Sequence, residues 1–212
     1  LGENAFVLSF EQLSKIIEMT HTFMPNIREF SMYARIDDVL RKTPEQLREA
    51  SSYAVSLANE AVRTRAATED GCQNMGTTLV SAISYDGGVV VSNVGDSRAY
   101  HISPDGITRI TRDHSLVENM VERGDITEEE ARRHPNKNLI TRALGPDENA
   151  DCDGFICPLE KGDFVLLCSD GLVDTVTDQE MLYEVIHGGE LDTCLDRLME
   201  IAKSRGAADR TV

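Results

Sequence analysis

The sequence predicts an α+β fold, in which a group of antiparallel strands lies between one long helix and two later helices. Three observations predict it: a helical pattern after residue 43, strand-forming runs with short turns from residue 78 onward, and two helical patterns after residue 176. Strands grouped in this way, with helices before and after them, do not form βαβ units. At 212 residues, one domain spanning 1–212 can bury a substantial core.

The first predicted helix begins at Thr43-Pro44-Glu45-Gln46, which combines an N-cap, a proline in the first turn and a capping-box partner. Its predicted apolar positions are Leu47, Ala50, Ala54, Leu57, Ala61 and Val62. Four strand-forming runs follow, at 78–85, 89–94, 98–103 and 107–110, with Asp-Gly turns after the first and third. We expect these runs to form one antiparallel meander of hairpins.

The segment from about 113 to 145 is polar and helical in pattern, and we expect it to form a flap inserted over the sheet. Thr127-Glu128-Glu129-Glu130 is a capping box, and His134-Pro135 ends that short helix. Strand character returns at 151–157 and 164–168. A helix capped by Thr177 then runs to Gly188-Gly189, and another runs from Leu191 to about Ser204.

Composition excludes several classes of function. The formal net charge of −16 argues against nucleic acid and anionic membranes as partners, since both require clustered Lys and Arg. No stretch is long and apolar enough to span a membrane, and the amino terminus has no leader pattern, so we expect a cytoplasmic protein. Five scattered cysteines fit neither a zinc ribbon nor a disulfide framework, and Cys168 is expected to be a small buried hydrophobe.

Two aspartates stand directly after strand-forming runs. Asp96 follows Asn93-Val94-Gly95, and Asp170 follows Leu167-Cys168-Ser169. Mg²⁺ and Mn²⁺ prefer carboxylate, carbonyl and water oxygens, which rigid aspartates at strand ends supply. A glycine beside each aspartate allows a tight turn. The pattern indicates a divalent cation site, although Gly-Asp-Ser and Ser-Asp-Gly also occur in ordinary turns, where Ser97 would be a turn hydroxyl.

Several short motifs follow one another between residues 75 and 209. They are Met75-Gly76-Thr77-Thr78, Asn93-Val94-Gly95-Asp96-Ser97-Arg98, Asp113-His114-Ser115, Thr141-Arg142-Ala143-Leu144-Gly145, Ser169-Asp170-Gly171 and Arg205-Gly206-Ala207-Ala208-Asp209. In this order they resemble the bacterial metal-dependent protein phosphatases of type 2C, the PPM family.

The resemblance implies an antiparallel β-sandwich flanked by helices, with a flap insertion and a cleft for two Mg²⁺ or Mn²⁺ ions, or three. It implies that Asp170 and Asp209 bind the central pair. Asp96 would help to hold the third, weaker ion, and Asp174 would contribute further. The implied reaction is hydrolysis of phosphoserine or phosphothreonine in proteins by metal-activated water, without a side-chain nucleophile. The implied partners are a bacterial Ser/Thr kinase and its substrates.

The amino-terminal motifs of the family are largely missing, and we expect the metal-loop segment and the last strand to be absent from this chain. Gly2-Glu3-Asn4 can be laid over the end of the first motif, which makes Glu3 and Asn4 its candidate ligand positions. Asp-Gly-Met-Gly-Gly does not occur, and Arg210 follows Asp209 where the family has asparagine. The remaining Asp-Gly pairs stand out of order or in turns, at Asp70, Asp86, Asp105 and Asp153.

Three explanations are open at this point. The chain is part of a longer protein, or it is a degenerate relative, or Asp37 or Asp38 supplies the first ligands. The leading hypothesis is a Mg²⁺/Mn²⁺-dependent serine/threonine protein phosphatase. The alternative is a pseudophosphatase, catalytically weak or inactive, that acts as a protein-interaction module.

Overall fold

Helix α1 (Pro44–Thr68) begins at the predicted capping box. It opens the part of the chain that the computed structural model describes, residues 42–189 and 191–207. Thr43 Oγ1 accepts a hydrogen bond from the Gln46 backbone N–H at 3.3 Å, and Gln46 Oε1 accepts one from the Thr43 N–H at 3.0 Å. These bonds pair N–H groups that the start of a helix otherwise leaves without partners.

The buried face of α1 differs from the predicted apolar face. Its buried residues are Leu47, Ser51, Val55 and Asn59, whereas Ala54 and Ala61, both expected on the apolar face, are exposed. Hydrogen bonds explain the two polar members, because a buried polar group is tolerated when it has a partner. Ser51 Oγ lies 2.6 Å from Ser92 Oγ, and Asn59 bonds to the backbone of the loop at 145–148.

Six strands in the described residues form two antiparallel sheets of three strands each. The first sheet has the order β1-β2-β5 and contains β1 (Leu79–Tyr85), β2 (Gly88–Val94) and β5 (Asp153–Pro158). The second has the order β4-β3-β6 and contains β3 (Arg98–Ser103), β4 (Gly106–Arg109) and β6 (Phe164–Cys168). The predicted strands therefore exist, with bounds close to those expected.

The predicted continuous meander is wrong, because β2 and β3 lie in different sheets. Gly95, at φ 110°, turns the chain out of the first sheet, and the bend through Asp96 and Ser97 leads into the second. Each hairpin is instead completed by a strand from much later in the chain, β5 or β6. The turn between the sheets is thus also the place where Asp96 is exposed to the cleft described below.

The two sheets pack face to face, which confirms the β-sandwich. Side chains of β2 alternate between its faces, as the strand repeat of two requires. Val89 and Val91 pack with Ala99 between the sheets, whereas Val94 packs with Val55 beneath α1.

Helices cover the other face of the second sheet. They are α5 (Asp178–His187) and α6 (Leu191–Ser204), preceded by the short α4 (Asp170–Val173). Tyr100 and Ile102 of β3 share the largest core cluster with Met181 of α5 and Leu198 of α6. The predicted cap at Thr177 is present, with its side chain accepting from the Glu180 N–H. Within the described ranges, no helix combines the length and apolar character that crossing a membrane requires.

The flap segment, residues 113–145, contains α2 (Leu116–Arg123) and α3 (Glu128–Arg133), as its polar helical pattern predicts. Its two ends meet at the base, where Ser115 pairs with Ile140 and the Thr141 N–H donates to the His114 carbonyl at 2.8 Å. Ion pairing between Arg109 of β4 and Glu118 of α2 holds the segment against the second sheet. The flap segment is therefore fixed at its base and along α2.

Candidate metal centre

A polar cleft of about 320 Å³ lies beside the flap segment, where β2 and β6 end. Its lining contains carboxylates at Asp96, Asp170, Asp174 and Asp178 and basic groups at Arg98 and Lys137. Of the four predicted metal ligands Asp96, Asp170, Asp174 and Asp209, the first three thus line the same cleft. Asp209, Glu3, Asn4, Asp37 and Asp38 lie outside the described residues.

The turn that carries Asp96 is tied down on both sides. The Gly95 N–H donates to His114 Nδ1 at 3.0 Å, and the Gly95 carbonyl accepts from the His114 N–H at 2.9 Å. Ser97 is 6% exposed, and its hydroxyl lies 2.8 Å from Thr78 Oγ1. Ser97 is a turn hydroxyl, as expected, and Asp96 is the member of the turn that faces the cleft.

Asp96 and Asp170 form the acidic floor of the cleft. The pKa of Asp96 is raised to about 6, first because burial disfavours its charged form and second because of the negative charge of Asp170. A neighbouring negative charge of this kind disfavours ionisation of a carboxylate, and a bound cation relieves that repulsion. The pair therefore suits a hard divalent cation by ligand type and by charge.

Asp174, at the carboxyl end of α4, already has a positively charged neighbour. Lys137 of the flap segment places Nζ 2.7 Å from Asp174 Oδ2. Across the described parts of the chain, no three His, Cys, Asp or Glu side chains are grouped closely enough to hold a metal ion. The described residues thus contribute an acidic pair, Asp96 and Asp170, and a third carboxylate that is engaged by a lysine.

An ion pair that sequence reasoning missed, between Arg98 and Asp113, lines the same cleft as the acidic pair. Arg98 donates from Nε to both carboxylate oxygens of Asp113, at 2.9 and 3.0 Å, and from Nη2 to Oδ2 at 2.6 Å. Its Nη1 donates to the Tyr100 hydroxyl at 3.1 Å. Burial lowers the pKa of Arg98, but its bonds to Asp113 outweigh that effect and raise it. Arg98 therefore stays protonated, and the bidentate geometry fixes the start of β3.

Asp153 is a second missed residue, because it was expected to belong to an ordinary turn or an out-of-order pair. It is instead the first residue of β5, where the register places it opposite Asn93 at the end of β2. Its carboxylate contacts His114 at 3.1 Å and Arg142 at 2.8 Å. The motifs around His114 and Arg142 were visible in the sequence, but the strand pairing that unites them with Asp153 was not.

Cys168, beside the cleft at the end of β6, is not an activated thiol. Burial raises the pKa of Cys168 to about 12, so this thiol is protonated at neutral pH. It packs against the core cluster below the second sheet, close to the predicted hydrophobic role. All five cysteines are free.

Comparison with known proteins defines the class. The family model for protein phosphatase 2C matches residues 19–210, and the chain belongs to this family. It is 40% identical to a serine/threonine phosphatase, stp, of Listeria innocua over 139 residues, which cover 66% of this chain and 55% of that protein. This chain therefore spans about half the length of the Listeria relative.

Solved structures agree with the family assignment. The crystal structure of the serine/threonine phosphatase Stp1 from Staphylococcus aureus matches with a TM-score of 0.74 and 33% identity, covering 87% of this chain and 69% of that one. The catalytic domain of the serine/threonine protein phosphatase PstP in complex with two manganese ions matches with a TM-score of 0.70 and 30% identity, covering 82% and 74%. The fold is therefore that of the PPM phosphatases.

Proposed function

We propose that this protein is a Mg²⁺/Mn²⁺-dependent serine/threonine protein phosphatase. The observation that carries the proposal is the Asp96–Asp170 pair, which two strand ends bring to the floor of one cleft in a chain of the protein phosphatase 2C family. The relatives reported above are named as phosphatases, which favours catalysis over the interaction-module alternative.

The described residues have distinct tasks in this proposal. Asp96 and Asp170 hold divalent cations, and Asp174 joins them when Lys137 moves aside. Asp209 is the further ligand that we propose from its motif, and Glu3 and Asn4 remain the candidates from the first motif. Divalent cations held there would supply an activated water and would neutralise phosphoryl oxygens.

No protein nucleophile takes part in the proposed reaction. Cys168 keeps its proton, and the Ser97 hydroxyl is buried against Thr78. The Arg98–Asp113 pair holds the start of β3 in one orientation, next to the turn that carries Asp96.

The proposed partners are phosphoserine and phosphothreonine proteins, and a bacterial Ser/Thr kinase whose signal this protein reverses. The excess of acidic residues supports protein partners over nucleic acid. Five free cysteines support a reducing location, and we propose the cytoplasm.

Hydrolysis of phosphoserine, phosphothreonine and phosphotyrosine peptides tests the proposal. We expect release of phosphate from the first two with Mn²⁺ or Mg²⁺, and none with EDTA. Asp170→Asn should lower the rate at least about 100-fold, because it removes a charged ligand. Asp105→Asn, in the exposed hairpin turn between β3 and β4, is the matched control. Turnover that persists in EDTA, or an Asp170→Asn rate equal to that of the control, contradicts the proposal.

A further inference from the structure

His114 is a buried imidazole, 4% exposed, at the base of the flap segment. Its Nδ1 accepts the Gly95 N–H at 3.0 Å, so the ring proton belongs on Nε2. Nε2 lies 3.1 Å from Asp153 Oδ2 and donates to it. The hydrogen-bond pattern thus assigns the neutral tautomer and uses both ring nitrogens.

Arg142 completes the arrangement from the carboxyl-terminal stem of the flap segment. Its Nη1 donates to Asp153 Oδ1 at 2.8 Å and to the Asp151 carbonyl at 3.2 Å. Nη1 also lies 3.0 Å from His114 Nε2, but both atoms carry hydrogens in this tautomer, so the approach is not a hydrogen bond. Arg142 therefore balances the charge of Asp153 and orients its carboxylate towards the ring.

The backbone of Gly95 is bonded to the other side of the His114 ring and to the His114 backbone. Its N–H is bonded to the ring, and its carbonyl accepts from the His114 N–H at 2.9 Å and from Asn93 Nδ2 at 3.3 Å. Because these hydrogen bonds hold both polar groups of the Gly95 backbone, they also fix the direction in which the chain continues to Asp96. The ring is the side chain that connects β5 and the flap stem to the turn holding Asp96.

We propose that His114 is a positioning residue, which, held by Asp153 and Arg142, fixes the Gly95–Asp96 turn and so sets the affinity of the Asp96–Asp170 pair for a divalent cation. The cation half of this inference rests on the proposed function. Groups that orient a metal ligand in this way change metal affinity by about 10- to 100-fold when they are removed.

Two substitutions at this position separate positioning from packing. His114→Asn loses the donor to Asp153 but places its amide oxygen close to the position of Nδ1, where it can accept the Gly95 N–H. His114→Gln keeps a donor near the position of Nε2 but loses the acceptor for Gly95. A role in packing alone predicts that the smaller Asn is the worse replacement, whereas positioning predicts the opposite order. His187→Gln, at an exposed position on α5, is the matched control.

The measurements are Mn²⁺ affinity by calorimetry, exchange of the Gly95 amide hydrogen by NMR without metal, and phosphopeptide hydrolysis, all in the same 212-residue chain. We expect His114→Gln to weaken Mn²⁺ binding about 10-fold and to accelerate Gly95 exchange, with kcat at saturating Mn²⁺ changing far less. His114→Asn should stay within about 3-fold of the parent in affinity. If His114→Gln does not fold, Asp153→Asn replaces it, with an expected loss of about 3-fold and faster Gly95 exchange.

Equal Mn²⁺ affinities in the Asn and Gln variants, or an unchanged affinity in Asp153→Asn, overturn the inference. A parent protein that binds Mn²⁺ but hydrolyses no phosphopeptide overturns the proposed function alone, and the inference is then judged on affinity and exchange. A parent that binds no Mn²⁺ overturns both.

Discussion

Replacing Gly95 by alanine should destabilise the protein through two separate effects. The residue has φ 110°, where a Cβ costs about 1–2 kcal/mol. A Cβ there would also lie 2.4 Å from Thr78 Cγ2 and 2.6 Å from Thr78 Cβ. Overpacking of this kind costs about 1–3 kcal/mol, so we expect a total loss of about 2–5 kcal/mol.

Gly87 provides the matched control. It has φ 89° in the hairpin turn between β1 and β2, but a Cβ there meets nothing within 4 Å. Gly87→Ala should therefore show only the backbone strain, about 1–2 kcal/mol. Any gain from a stiffer unfolded chain is common to both variants and cancels in their difference.

The assay is urea unfolding followed by circular dichroism, because the chain has no tryptophan for fluorescence. Thr78→Ser removes the nearest methyl group and keeps the hydroxyl that bonds Ser97, so Gly95→Ala should cost about 1 kcal/mol less in that background. Equal losses for the Gly95 and Gly87 variants would refute the steric argument.

Three further outcomes are expected. Arg98→Met should lower the free energy of unfolding by up to about 3–5 kcal/mol, measured by urea unfolding, because it leaves the buried Asp113 with only the longer contact to Arg109, at 3.8 Å. Lys137→Met should lower the Mn²⁺ concentration for half-maximal activity by up to about 5-fold, because an exposed ion pair of at most about 1 kcal/mol no longer competes for Asp174. Asp96→Asn should raise the free energy of unfolding of the metal-free protein by about 1–2 kcal/mol at pH 7.5, a figure reduced because Asp96 is partly exposed. Below pH 4 the same substitution should have little effect, and urea unfolding at both pH values measures the difference. The sign follows because the pKa of Asp96 rises from 3.8 to about 6 on folding, so its ionisation opposes folding increasingly across that range.

Elements specified by neighbouring residues were predicted well. The capping boxes at Thr43, Thr127 and Thr177 mark helix starts that the structure reproduces, because each box is closed by residues three positions apart. Strand runs such as Phe164–Cys168 were equally clear, since their composition alone favours extended backbone.

Features that depend on long-range pairing were not predicted. The separation of β2 from β3 becomes visible only once β5 and β6 complete the two sheets. The role of Asp153 depends on the register that sets it opposite Asn93, and the ion pair of Lys137 with Asp174 depends on how the flap segment folds back. The acidic floor itself was predictable, because Asp96 and Asp170 each lie in a short motif directly after a strand-forming run, which can be recognised from neighbouring residues alone.

Because the flap segment is closed at its base, its length can change without disturbing the two sheets. Residues 115 and 140 are paired neighbours, so the chain between them departs from the sandwich and returns to almost the same point. Lengthening such an excursion adds little closure entropy, since each doubling of a loop costs only about 0.6 kcal/mol. An epitope or a reporter peptide inserted after Gly124, the glycine that ends α2, would leave every strand pairing intact.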